Sequence, residues 1–293
     1  VLEDNLIEDL SYLIGPKLYE ADWMDLTEQG YLARVQCHEV WCPMSRNFLA
    51  EYLRRKDEPG QLNLTNLLLA LNPNKVRACE YLMHLHEARG DKILIFCDNT
   101  FAIEYLEAAL KRPMIHGKTP DGKRMELLSS FQHSASSNTL LISKVGDVAY
   151  DLPEATVLIQ VSSHYGSRRQ EAQRLGRLLR PKPATSMRSA SKDCNAVFYT
   201  LLVPNTREMS HAARRRAFLL DQGYAYKVVS DVAAQAAAAG FVSRCLATDR
   251  AERDMLTKLI VAADKKGDVA AGAGAGAGAG EELARAVASS SGG

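Results

Sequence analysis

From residue 72 onward the chain alternates between short unbroken apolar runs and longer stretches whose apolar residues recur every three or four positions. KILIFC (Lys92–Cys97) is one run, bounded by Gly90 before it and by Asp98-Asn99 after it. TLLI (Thr139–Ile142), TVLIQV (Thr156–Val161) and VFYTLL (Val197–Leu202) are others, and Met114–His116 is shorter. Runs without alternation predict strands buried on both faces, the condition of a parallel sheet. The intervening spacing predicts helices over Lys75–Ala88, opened by Asn-Pro-Asn, then over Phe101–Leu110, Asp121–Phe131, Gly166–Arg180 and Arg207–Gln222. Strands and helices in this order predict an α/β fold, a doubly wound parallel sheet covered on both faces.

Outside that region the pattern changes. Tyr31–Val40 alternates as a strand does, and Arg46–Lys56 reads as a short helix stopped by Pro59-Gly60. Residues 1–60 hold large apolar side chains but no self-contained pattern, which predicts the end of a preceding domain and a hinge. The chain also opens without an initiator methionine, as a fragment would. Residues 61–229 then form the main domain. Ser230–Ala262 is alanine-rich, which predicts a helical extension over 230–264. The remainder, 265–293, contains GAGAGAGAG and ends SSSGG; glycine at every second position holds no helix and buries no core, so disorder is expected there.

Composition narrows the class. Charged residues are 24% and hydrophobic residues 46% of the 293, ordinary for a soluble globular protein. The net charge of +1 hides an uneven distribution, because bases concentrate in Arg168–Lys192 and Arg214–Arg216. The six cysteines are scattered without a secretory signal, which points to free thiols. Cys37 and Cys42 have no second close pair downstream, so they are expected as buried strand residues and no metal site is expected. No apolar run is long enough to cross a bilayer, and no membrane association is expected.

The chemistry concentrates in GSRRQEAQRLGRLLR (Gly166–Arg180). At about 100° per residue, Gln170, Gln173, Arg177 and Arg180 share one stripe and Ala172, Leu175 and Leu179 the opposite one. Five arginines face a single acid, Glu171, whereas solvated helices usually interleave acids four residues from their bases. The missing negative charge must come from phosphate or from another surface, and arginine suits bidentate phosphate contact. In parallel α/β sheets the working residues lie beyond the carboxyl ends of the strands. The loops to inspect are therefore Asp98-Asn99, His116–Pro120, Ser143–Pro153 and Ser162–Arg169. His164 has no nearby serine or cysteine in a recognisable nucleophile setting, which sets acyl transfer aside. Nothing reads GxxxxGK[ST], and no GxGxxG follows a strand, which removes a dinucleotide-dependent oxidoreductase. A site with arginines but no triphosphate cradle is one that another domain completes.

These residues carry a resemblance. Ser143-Lys144-Val145-Gly146-Asp147 with Asp151-Leu152-Pro153 is similar to motif V of superfamily 2 helicases, Gln173–Arg180 to motif VI and Lys92–Asn99 to motif IV. Longer strings, among them LIGPKLYEADW (Leu13–Trp23), GYLARVQCHEVWCPM (Gly30–Met44) and FLLDQGYAYKVV (Phe218–Val229), resemble the XPB/Ssl2-type helicases from about Leu10 to Val229. Those are the DNA translocase subunits of the transcription and nucleotide-excision-repair factor TFIIH. The resemblance implies a second RecA-like lobe, preceded by the tail of a first lobe and followed by the helical extension. It implies a nuclear protein that works with DNA and other TFIIH subunits. ATP and Mg2+ would be bound mainly by the first lobe, without which this chain alone is expected to be inactive.

By the same resemblance Arg177 and Arg180 are arginine-finger candidates, and Gln173 contacts the γ-phosphate or orders the attacking water. Asp151 couples nucleotide to the DNA-facing loop or contacts the ribose, and Arg174 and Gly146 belong to the same nucleotide-facing set. Ser143, Lys144 and Gly146 touch phosphates of the tracked strand, which Asn99, His116 and Gly117 also face. Ala149 and Leu179 stand where the broad superfamily commonly has glycine, which leaves the geometry of Arg180 less defined than that of Arg177. Against the motor stands a second reading, a non-hydrolysing nucleic-acid-binding or scaffolding module. Fold alone does not separate the two. The retained Gln173, Arg177 and Arg180 favour the motor.

Overall fold

The apolar runs become the middle of one sheet. The computed structural model describes residues 12, 15, 23–29, 31, 33–143, 152, 154–162, 194–221 and 223–263. In chain order the strands are β1 (Val35–Trp41), β2 (Ile93–Phe96), β3 (Met114–Ile115), β4 (Thr139–Ile142), β5 (Val157–Gln160), β6 (Ala196–Leu202) and β7 (Ala225–Val229). They form a seven-stranded sheet in the order β3-β4-β2-β5-β6-β1-β7. Every pairing is parallel, for example Ile93 opposite Thr139 and Val157 across β4-β2-β5. The helices are α1 (Trp23–Glu28), α2 (Arg46–Arg55), α3 (Leu62–Ala70), α4 (Pro73–Glu87), α5 (Thr100–Leu110), α6 (Asp121–His133), α7 (Arg207–Asp221), α8 (Val232–Ala238) and α9 (249–263).

Alternate residues of each central strand feed two cores. Ile93, Ile95, Val157, Ile159 and Leu141 pack with α3, α4, α5 and α9 on one face. Leu94, Phe96, Leu140, Ile142 and Leu158 pack with Leu128 and Phe131 of α6 and Leu219 of α7 on the other. Because both faces are covered, β2, β4 and β5 are buried at every position, as their unalternating sequences require. Full burial of a side chain such as Phe131 or Phe198 stabilises by roughly 1.5–3 kcal/mol. The chain thus forms the doubly wound α/β sheet that the pattern predicts.

The sheet differs from the pattern's division at residue 60. β1 lies inside the sheet, with Val35 opposite Ala196 of β6 and Gln36 opposite Ala225 of β7, and Phe48 and Tyr52 of α2 are buried in the main core. The described part of residues 33–60 therefore belongs to the same unit as the strands after it. Beside the exposed edge strand β7, β1 is buried at only some of its positions, so its sequence alternates where the central strands do not. The carboxylate of Glu39, fully buried, joins these strands by accepting from Trp41 Nε1 at 2.7 Å and from the Tyr226 hydroxyl. The extension predicted over 230–264 holds two helices, α8 and α9, separated by residues 239–248. The helix expected over Gly166–Arg180 and the glycine-rich tail over 265–293 lie outside the described residues.

At the amino-terminal edge of the sheet, α4 ends in a polar knot. Gly90, at φ +80°, turns the chain after the helix, a conformation that favours glycine. His86, buried, bonds through Nδ1 to Asp91 at 2.7 Å and through Nε2 to the Tyr199 hydroxyl at 3.0 Å. Glu87 receives both Nε and Nη2 of Arg112 at 2.7 Å, and the Thr139 hydroxyl at 2.6 Å. Burial pushes the Glu87 carboxyl up, but the bonds from Arg112 and Thr139 outweigh it and hold it below the ordinary carboxylate range. Since the folded value is the lower one, this contribution to stability is present at neutral pH and is lost as pH falls through the carboxylate range. Glu87→Gln should lower unfolding stability at pH 7 by about 1–3 kcal/mol. Denaturant melts of variant and parent should converge as the pH is lowered; a gap of the same size in acid would contradict this account of Glu87.

His38, on β1 beside Tyr199, gives a second test. Burial, with Lys227 and His86 nearby, pushes its imidazole down to about 4. The unfolded chain therefore takes up a proton at pH values where folded His38 does not, so stability falls as pH drops from about 6.5 toward 4. His38→Asn should flatten that part of the stability–pH curve, and an unchanged slope would show that the imidazole is not held neutral.

Candidate functional site

All seven strands are parallel, so their carboxyl ends share one rim. Pairing continues one residue past the strands: Cys97 N donates to Ile142 O at 3.2 Å, Ser143 N to Ile115 O at 3.0 Å and Val161 N to Phe96 O at 2.9 Å. In sheet order the rim then carries His116-Gly117 after β3, Ser143 after β4, Asp98-Asn99 after β2 and Ser162 after β5.

Each of these positions is held by local bonds. Asn99 caps α5, its Oδ1 accepting from Ala102 N at 3.1 Å. That use occupies the oxygen and leaves the amide nitrogen, a donor, as the group suited to a further acceptor. The amino terminus of α5 adds backbone N–H groups at the same place, and such a terminus favours anions. His116 N donates to Thr119 Oγ1 and Thr119 N to His116 O, both at 3.0 Å, which closes a tight loop. Gly117 and Lys118 are exposed at its tip. His116 Nδ1 is buried without a hydrogen-bond partner among the described residues. Ser143 is buried. Ser162 Oγ accepts from Asp98 N at 3.0 Å and lies 3.4 Å from Cys97 Sγ, clasping the ends of β5 and β2 together.

The structure therefore brings Asn99, His116, Gly117 and Ser143 to the ends of three neighbouring strands. Lys144, Gly146, Asp151, Gln173, Arg174, Arg177 and Arg180 lie outside the described residues. Cys37 and Cys42 stand on and beside β1, where burial pushes each thiol up to about 12. Among the described residues no group of three His, Cys, Asp or Glu side chains could hold a metal ion, and no helix is long and apolar enough to cross a membrane.

Sequence reasoning misses the residues that brace this rim. Lys75 has a fully buried side chain; its Nζ donates to Glu208 Oε1 at 2.7 Å and to Val161 O at 3.1 Å. Glu208 Oε2 accepts from Val203 N at 2.8 Å. One buried ion pair thus holds the ends of β5 and β6. Asn72 Nδ2, at the cap of the same helix, donates to Cys42 O at 2.9 Å and so holds the end of β1. A signal was present: a lysine in the first turn of a helix opposes the helix dipole and needs a compensating partner.

One turn further along α4, two charged residues hold the extension. Arg77 Nη2 donates to Glu252 Oε1 at 2.6 Å and to Leu246 O. Glu80 accepts from the Ser243 hydroxyl and from the backbone N of Arg244 and Cys245, each at 3.2 Å. Burial pushes the Glu80 carboxyl up, and these bonds outweigh it and hold it down.

A doubly wound parallel sheet whose strand ends carry anion-suited groups is the architecture of a RecA-like helicase lobe. A solved structure of a Saccharomyces cerevisiae Dbp5 variant bound to RNA and ADP BeF3 matches 82% of this chain and 52% of its own at a TM-score of 0.50. At 11% identity that likeness speaks for the fold alone. The chain belongs to the ERCC3/RAD25/XPB C-terminal helicase family, whose description matches residues 26–282. It is 54% identical over 230 residues to the General transcription and DNA repair factor IIH helicase/translocase subunit XPB of Dictyostelium discoideum, covering 78% of this chain and 28% of that protein. The Danio rerio subunit XPB is 48% identical over 266 residues, 90% of this chain and 32% of that protein. The Saccharomyces cerevisiae subunit XPB/SSL2 is 45% identical over 272 residues, 93% and 31%. The chain spans about a third or less of the length of these curated relatives.

The geometry of Glu80 predicts that the extension is docked rather than trailing. Glu80→Ala should speed protease cleavage and amide exchange across 241–263 by roughly tenfold, for the loss of about 1–3 kcal/mol of local bonding. The sheet should remain folded. Equal protection in variant and parent would show that Glu80 does not hold the segment.

Proposed function

We propose that this chain is the second motor lobe of an ATP-dependent 3′→5′ DNA translocase and helicase of the TFIIH type, acting in transcription initiation and nucleotide excision repair in the nucleus. The observation that carries the reading is the rim. Asn99, the cap of α5, stands with Ser143, His116 and Gly117 at three neighbouring strand ends, in a chain 45–54% identical to TFIIH helicase/translocase subunits.

The rim suits a phosphate backbone. The Asn99 amide nitrogen, the first N–H groups of α5 and the exposed Gly117-Lys118 tip offer donors and positive charge without base preference, as a motor moving over any sequence needs. Lys144 and Gly146 would continue this contact after β4. ATP with Mg2+, held mainly by a first lobe, supplies the phosphoryl transfer when bound. This chain's part is to bring Arg177 and Arg180 to the phosphates, with Gln173 ordering water or meeting the γ-phosphate. Arg174, Gly146 and Asp151 join nucleotide to strand. Alternate closure and release of the two lobes then moves the rim along one strand. DNA and the other TFIIH subunits are the partners this implies.

In the complete parent protein, Arg177→Ala should lower DNA-stimulated ATP turnover by roughly 10³-fold or more, with nucleotide affinity changed only a few-fold. A proportional loss of nucleotide binding would contradict the finger role. DNA binding without any ATP turnover in the parent would favour the scaffolding module. Affinity for DNA should also fall steeply with salt and vary little with sequence, since phosphates carry the contact.

A further inference from the structure

The rim is braced from beneath by a residue that does not itself reach the surface. Lys75 Nζ, with the side chain fully buried, holds the last carbonyl of the β5 ladder, Val161 O, at 3.1 Å. The next residue, Ser162, accepts the Asp98 backbone N–H at 3.0 Å, and Asp98 precedes Asn99, the cap of α5. On its other side Lys75 is anchored at 2.7 Å to Glu208, itself fixed by Val203 N at the end of β6. The path from Lys75 to the rim is therefore three bonded steps: ammonium to Val161, Ser162 to Asp98, Asn99 to α5.

A purely stabilising role does not require a charge at this place. An ion pair in the dry interior spends most of its Coulomb attraction on desolvation, and an apolar pair of similar size commonly stabilises as well. What an apolar side chain lacks is a donor for Val161 O. A carbonyl left without that donor would rotate toward another partner and carry Ser162 with it.

We infer that Lys75 is a positioning residue for the nucleic-acid rim, acting through Val161 and Ser162 on the Asp98-Asn99 loop and the amino terminus of α5. The inference rests on the reading of that rim as the DNA-facing edge. It assigns no contact with DNA or nucleotide to Lys75. Glu208 serves to keep the ammonium pointed at Val161.

The test uses the complete parent protein carrying Lys75→Met with Glu208→Gln, which removes the charge pair but keeps an acceptor for Val203 N. Two quantities are read: the DNA concentration giving half-maximal ATP turnover, and amide exchange of residues 97–102. The half-saturating DNA concentration should rise roughly tenfold while the KM for ATP stays within about twofold, and exchange at 97–102 should quicken. A folded double variant with unchanged DNA half-saturation and unchanged exchange would overturn the inference and leave the pair a stabilising one. Should the double variant fail to fold, Ser162→Ala decides. It breaks the next step of the same path and should produce the same shift in DNA half-saturation, and its absence would overturn the inference equally. If the parent itself shows no DNA-stimulated turnover, the motor reading fails. Exchange at 97–102 in the variants still reports whether Lys75 sets the loop.

Discussion

An ammonium group carried out of water must be matched nearly completely, because an uncompensated buried charge costs several kcal/mol. Lys75 meets that condition with two oxygens, Glu208 Oε1 and Val161 O, and Glu208 completes it by accepting Val203 N. The constraint reaches far along the chain. A residue in the first turn of α4 is tied to one 133 positions later, and the ends of β5 and β6 share this one pair through Val161 O and Val203 N. Parallel strands have no hairpin to align their ends, so their carboxyl rim needs such a device if side chains from separate loops are to face one ligand.

Helix α4 extends that device in two directions. Its cap, Asn72, binds the end of β1; Lys75 binds the end of β5; and Arg77 and Glu80 bind α9 and the segment before it. At its far end His86 and Glu87 fasten the opposite edge of the sheet through Tyr199 and Thr139. One helix therefore carries bonds to both sheet edges and to the extension, with its apolar side chains Val76, Cys79, Leu82 and Met83 packed in the larger core.

The central sheet was legible in the sequence for a simple reason. KILIFC, TLLI and TVLIQV are apolar at nearly every position because both faces are covered, and that composition admits few other placements. Strands near the outer edge follow a different rule. β1 alternates because its burial alternates, which disguised its membership of the sheet, and β7 is mostly exposed, so AYKVV gave little signal. Helix α3, LNLTNLLLA, is buried on nearly all sides and shows too weak an amphipathic period to announce itself. At the rim, the loops after the strands were legible from topology, and Asn99, His116, Gly117 and Ser143 stand at neighbouring strand ends. The bracing pair was not, because nothing local in PNKVRA or REMSHA relates Lys75 to Glu208; only the fold does. Asn99 also carries a use that sequence does not display, since its side-chain oxygen serves as the cap of α5.

The central claim is that the carboxyl rim, and not another surface, meets the nucleic-acid strand. A polar concavity of about 300 Å³, lined in part by His38, His86, Asp91 and Tyr199, lies at the opposite edge of the sheet and provides an internal control. Hydrogen exchange of the complete parent protein with and without DNA compares the two edges directly. The account predicts DNA-dependent protection at 97–102, at 116–119 and at 143, with 36–38 and 86–91 unchanged. Protection confined to the opposite edge, with the rim exchanging as fast as in the free protein, would contradict it.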